Sequence, residues 1–192
     1  MMQPQDALED LRAIRQIMER ARRTSDGFGG WFMVLWGTIW LVGFIGTHIL
    51  TRADRGSLIG WLWLPLNTLG ILGSTYLGFR MGQRARTKTS SLWLPLLLWW
   101  LALLAFDAVL IWRLQLYTNL SDLALLIVLT IALGYVQFGF FTHWAISLIG
   151  LFIGLLAVGL ITWLPEYFHI GVAVLGGGAL IGGGIGFLRQ RE

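Results

Sequence analysis

The stretch FTHWAISLIGLFIGLLAVGLITW, Phe141–Trp163, contains one ionisable side chain, His143, in 23 residues. An α-helix rises ~1.5 Å per residue and the hydrocarbon core of a bilayer is ~30 Å thick, so ~20 such residues cross it. Lipid solvates no backbone N–H or C=O, so a crossing segment of this length must be helical. The alternating ten-residue pattern of a transmembrane barrel is absent. Working outward, the same reading applies to Trp31–Leu50, Leu58–Phe79, Leu92–Trp112, Leu123–Phe140 and Ile170–Leu188. Of Asp, Glu, Lys, Arg and His, the first of these holds only His48 and the third only Asp107; the other three have none. The expected fold is an all-α integral membrane protein, a six-helix transmembrane bundle over residues 31–188.

Composition agrees with that class. Charged residues make up 12% of the 192 and apolar residues 56%, whereas a soluble domain carries ~25% charge. Too little charge remains to wet a globular surface, which excludes an ordinary water-soluble enzyme, and the apolar content excludes disorder. The absence of Cys removes disulfide frameworks, thiolate metal sites and cysteine nucleophiles together. Trp31, Trp61, Trp93, Trp112, Trp144 and Trp163 fall at or near span ends, where an amphipathic ring sits at headgroup depth.

Lys and Arg set the expected orientation. Arg12, Arg15, Arg20, Arg22 and Arg23 precede the first span, Arg80, Arg84, Arg86 and Lys88 follow the second, and Arg189 and Arg191 end the chain. Only Arg52, Arg55 and Arg113 fall on the other side. This positive-inside bias predicts both termini in the cytoplasm of a plasma-membrane protein. The formal charge of +4 is then a rim facing the anionic inner leaflet, and no nucleic-acid partner is implied.

Residues 1–30 form the cytoplasmic part of the expected domain plan, and residues 189–192 a short cytoplasmic tail. Ala7, Leu8, Leu11, Ile14, Met18 and Ala21 recur at helical spacing, and Asp6-x-x-Glu9 has the form of a capping box. Gly27, Gly29 and Gly30 then make a hinge. This predicts an amphipathic helix whose Leu8, Leu11, Ile14 and Met18 face the inner headgroup layer, the bundle, or another protein engaged through residues 6–24. The run Ala7-Leu8-Glu9-Asp10-Leu11-Arg12-Ala13-Ile14-Arg15-Gln16-Ile17-Met18-Glu19-Arg20, with its Gly-rich hinge and following span, resembles the start of a group of small bacterial multi-pass membrane proteins of uncharacterised function. The resemblance covers about a quarter of the chain and implies the same helix-then-bundle plan, with no catalytic residues.

Small residues mark the expected helix contacts. Gly178, Gly182 and Gly186 stand four apart in the last span; Gly150 and Gly154 share a face with Ser147 and Ala157, and Gly70 and Gly78 one with Ser74. In lipid such ladders let backbones approach and support close packing, including self-association into a homo-oligomer. A phosphate cradle is excluded, because no strand precedes the glycines and no Lys-Ser/Thr follows them.

Asp107, His48, Arg113, Glu166 and His169 all fall toward the outer leaflet in this topology. A carboxylate within a span is costly, so Asp107 needs a partner or a wet cavity. Arg113 is ~240° further round the same helix, which leaves His48 and His169 as the expected partners. The five residues could form an outward-facing polar pocket for a cation, proton or solute, or simply fix helix packing. Asn67, Thr68, Ser74, Thr75, Tyr76, Thr130, Tyr135, Gln137, His143 and Ser147 are the other polar groups within spans, suited to hydrogen bonds between helices. No catalytic constellation, metal site or cofactor motif is found. The expectation is a noncatalytic sensing, regulatory or interaction module coupling the bilayer to a cytoplasmic helix; the alternative is a small oligomeric transporter or channel.

Overall fold

The computed structural model describes residues 29–85, 93–141 and 143–189, so the expected amphipathic helix lies outside the described residues. Among the described residues every long element is a helix. In chain order these are α1 (Gly29–Arg52), α2 (Ile59–Ala85), α3 (Trp93–Arg113), α4 (Leu120–Phe141), α5 (Trp144–Trp163) and α6 (Pro165–Arg189). Five helices, α1, α2, α4, α5 and α6, are long and apolar enough over their described residues to cross a membrane. The chain is therefore an all-α membrane protein.

Local chemistry places two boundaries that apolar content alone puts elsewhere. Asn119 Oδ1 accepts from the backbone N–H of Ser121 at 3.1 Å and of Asp122 at 3.4 Å. This N-terminal cap satisfies donors that have no partner within the helix, so α4 starts at Leu120 and not at Leu123. His143 is extended, and its Nδ1 accepts from Ala145 N at 3.2 Å. It caps α5, so Phe141 closes α4 instead of opening α5.

Glycine contacts give the helix order. A Cβ on Gly37 would lie 2.8 Å from the Gly177 carbonyl oxygen, and one on Gly184 would lie 2.6 Å from that of Gly30. Gly30 thus faces Gly184 and Gly37 faces Gly177, so α1 and α6 run antiparallel with backbones touching at two-turn intervals. The expected ladder needs correcting here: at Gly178, Gly182 and Gly186 an added Cβ would meet nothing within 4 Å. The contact register of α6 is Gly177 and Gly184, one position before Gly178 and two after Gly182, and the other row faces outward.

Further pairs follow the same logic. Gly70 abuts Ile39 and Trp36, joining α2 to α1. Gly171 abuts Leu160 and Gly183 abuts Ile149, joining α6 to α5. Gly150 lies against the backbone of Ala132 and Val136, and Gly154 makes an ordinary contact with Ala132, joining α5 to α4. Gly134 abuts Trp100, joining α4 to α3. Gly78 is exposed. The sequence of neighbours is α2, α1, α6, α5, α4, α3, and the buried core is drawn from α1, α4, α5 and α6 around Met33, Val128, Ile153, Phe168 and Leu180.

Candidate functional site

One end of the bundle carries the α1–α2 turn, the α3–α4 turn and the start of α6, and most of the singled-out side chains gather there. The rim is an ion pair, Arg52 to Glu166 at 3.6 Å, joining the end of α1 to the start of α6. Both side chains are more than half exposed, so the pair contributes little to stability. Glu166 therefore turns to Arg52 and away from the protein interior.

Below the rim lie the two histidines. His48 on α1 is half-buried and lies close enough to His169 on α6 to interact with it electrostatically. His169 is 5% exposed. Its ring stacks on Phe44 at 6.3 Å between centroids and meets Phe168 edge-on at 5.3 Å. Phe44 in turn packs edge-on with Trp63 of α2 and with Trp40. Trp63 Nε1 donates to Thr47 Oγ1 at 2.9 Å, and Thr47 donates to the Gly43 carbonyl at 2.8 Å. Among the described residues, Nδ1 of His169 is fully buried with no hydrogen-bond partner.

A π-helical stretch in α6, Val172–Gly177, explains how His169 reaches α1. The eight residues from His169 to Gly177 would turn an ideal α-helix through about 800°, leaving the two about 80° apart. A π turn accommodates one extra residue, about 100° of rotation, and brings His169 round to within about 20° of the α1-facing line. Without it, His169 would turn away from Phe44.

Asp107 belongs to a different neighbourhood. It is 6% exposed, and its carboxylate accepts from Thr130 Oγ1 at 2.8 Å, across α3 and α4. Thr130 sits at the middle of α4, two residues from the Ala132 that packs against Gly154 in mid-α5. Asp107 is therefore well below the level of the histidines. The partner expected from His48 and His169 is instead this hydroxyl, which reaches the carboxylate because α4 is the helix beside α3. Arg113 is exposed at the end of α3.

Other polar groups also join helix pairs. Trp36 Nε1 donates to Ser74 Oγ at 3.0 Å between α1 and α2, and Ser147 Oγ donates to the Val136 carbonyl at 2.8 Å between α5 and α4. Among the described residues no three His, Asp or Glu side chains converge as metal ligands would. Sequence reasoning named Phe44, Thr47 and Trp63 in no functional role. Only the position of Thr47 one residue before His48 could have hinted at them.

No family model, curated protein or solved structure matches this chain.

Proposed function

We propose that the chain is a noncatalytic, multi-pass plasma-membrane module with six spans and both termini in the cytoplasm. Its bundle senses or stabilises a condition of the bilayer, and the segment around Leu8, Leu11, Ile14 and Met18 carries the output to a cytoplasmic partner. The supporting observation is how the intramembrane polar groups are used. Asp107, Thr47, Ser74 and Ser147 each bond across or beside a helix contact, which ties helices together. Residues 1–28 precede α1 in the sequence, and the backbone of α1 touches α6 at Gly30 and Gly37, so a shift of α6 reaches the start of α1.

Deleting residues 1–24 tests this reading. The truncated protein should remain a monodisperse helical bundle in detergent and lose capture of its cytoplasmic partner, while proteoliposomes of either form carry no proton or cation flux above lipid alone. Robust flux through the truncated protein would overturn it. One observation favours the transporter reading as the alternative: the unpartnered Nδ1 of His169 beside His48 offers a buried site for a hydrogen-bonding solute. In that case His169→Phe would abolish flux.

A further inference from the structure

The side of α2 turned away from α1 carries a row that no described neighbour covers. Gly60, Leu64, Asn67, Ile71, Thr75 and Gly78 are all exposed and recur at spacings of four and three, keeping them within about 80° of arc. Within this row Leu64 and Ile71 are the large side chains, and Leu69, Leu72, Tyr76 and Phe79 project from the other exposed side. Only 11% of the most apolar window of α2 is buried, against 39% for α1 and for α6.

Asn67 distinguishes this row from a merely apolar face. It lies eleven residues after Gly56 and thirteen before Arg80, about 17 Å and 20 Å from the two ends of the span and so at the centre of the hydrocarbon. Thr68 and Thr75 return their hydroxyls to the Leu64 and Ile71 carbonyls of their own helix, both at 2.8 Å. The Asn67 amide has no such bond among the described residues. Lipid supplies neither donor nor acceptor, so an amide at this depth needs a partner from another helix.

We infer that α2 is a homodimer seam, in which Asn67 of one copy bonds Asn67 of a second across a two-fold axis. The occupant is set by the chemistry of the group. An amide carries both a donor and an acceptor, so two related by a dyad satisfy each other reciprocally, as an isologous contact requires. Gly60 and Gly78 flank the amide, and a Cβ at Gly60 would meet nothing within 4 Å, so the two helices can approach closely above and below it. The inference needs only that α2 crosses the membrane, and it is independent of any sensing or transport role.

The test uses the full chain, which has no native Cys, reconstituted in phosphatidylcholine–phosphatidylglycerol bilayers. Leu64→Cys and Ile71→Cys should form disulfide-linked dimers on mild oxidation, and Leu69→Cys and Leu72→Cys should not. In the Cys-free chain, Asn67→Leu should weaken association roughly five- to thirtyfold, the effect of losing an amide bond between helices in lipid, and Asn67→Gln should retain most of it. Photobleaching steps per particle at a fixed protein-to-lipid ratio give the dimer fraction, and circular dichroism confirms that each variant is folded. A monomeric parent, equal cross-linking on both sides of α2, or an unchanged dimer fraction in Asn67→Leu would each overturn the inference. A parent that becomes oligomeric only after a second protein is added would also overturn it, by giving the seam to that protein.

Discussion

His169 is clamped between the rings of Phe44 and Phe168 with its Nδ1 unbonded, which is an expensive way to fill an aromatic layer. Leaving a buried polar atom unsatisfied costs about 1–3 kcal/mol, so a ring of similar shape without that atom should stabilise the fold. His169→Phe is expected to raise the melting temperature in detergent by about 2–4 °C, as befits about 1 kcal/mol in a chain of this size. A fall would mean that the nitrogen has a partner in the membrane-bound protein. Asp107 and Thr130 present the opposite case, a polar pair already satisfied. A double-mutant cycle of Asp107→Ala and Thr130→Val, read by reversible unfolding in mixed micelles, should give a coupling of about 0.6–1.7 kcal/mol. The need of Asp107 for a partner was legible from the sequence, because a carboxylate within a span is costly wherever the helix packs. Its choice of Thr130 was not, since a hydroxyl among several in the fourth span carries no local mark of which helix it will face.

At the scale of the helix, α6 holds two glycine rows, and only their neighbours tell them apart. Gly37→Ala or Gly184→Ala drives a methyl into a facing backbone and should cost about 1–3 kcal/mol. Gly178→Ala and Gly182→Ala fill open space and should be neutral or add about 0.5–1 kcal/mol through the lower backbone entropy of Ala. Unfolding of the four variants in one detergent compares the rows, and a loss at Gly182 equal to that at Gly184 would refute this assignment. Spacing alone could not separate the rows, because a run as dense as Gly176–Gly178 and Gly182–Gly184 offers several registers at once. The π turn was equally hidden, since it arises from the demand that His169 and Gly177 both meet α1. Deleting Leu175, exposed within that turn, should restore regular winding and leave His169 facing α1, because seven α-helical steps turn through about 700°, the rotation that the π turn gives eight. A disulfide formed between Phe44→Cys and His169→Cys in the parent should therefore still form in the deletion, and its loss would refute the placement of the extra residue in this turn.

For the whole molecule, the all-α membrane class was readable from chain composition, because burying ~20 apolar residues in lipid needs no knowledge of neighbours. Pairing was not readable, because it depends on which small residues end up facing one another. Topology stands between the two. The antiparallel contacts of α1 with α6, α6 with α5 and α5 with α4 put the turn at Asp54, the turn at Gln115 and the Glu166 segment at one end, and the start of α1 and the end of α6 at the other. The positive-inside rule then predicts which end faces the cytoplasm: the first end holds Arg52, Arg55 and Arg113, and the remaining Lys and Arg adjoin the second end in the sequence. The prediction is read by labelling intact cells with a membrane-impermeant maleimide. A Cys at Asp54, Gln115 or Glu166 should react from outside, and one at Arg86 or Arg191 only after permeabilisation. Because the parent has no Cys, every signal is assigned to one position. External labelling at Arg86 would invert the bundle and put the N-terminal segment on the wrong side for a cytoplasmic partner. Labelling at Asp54 but not at Gln115 would instead contradict the antiparallel order of α1, α6, α5 and α4.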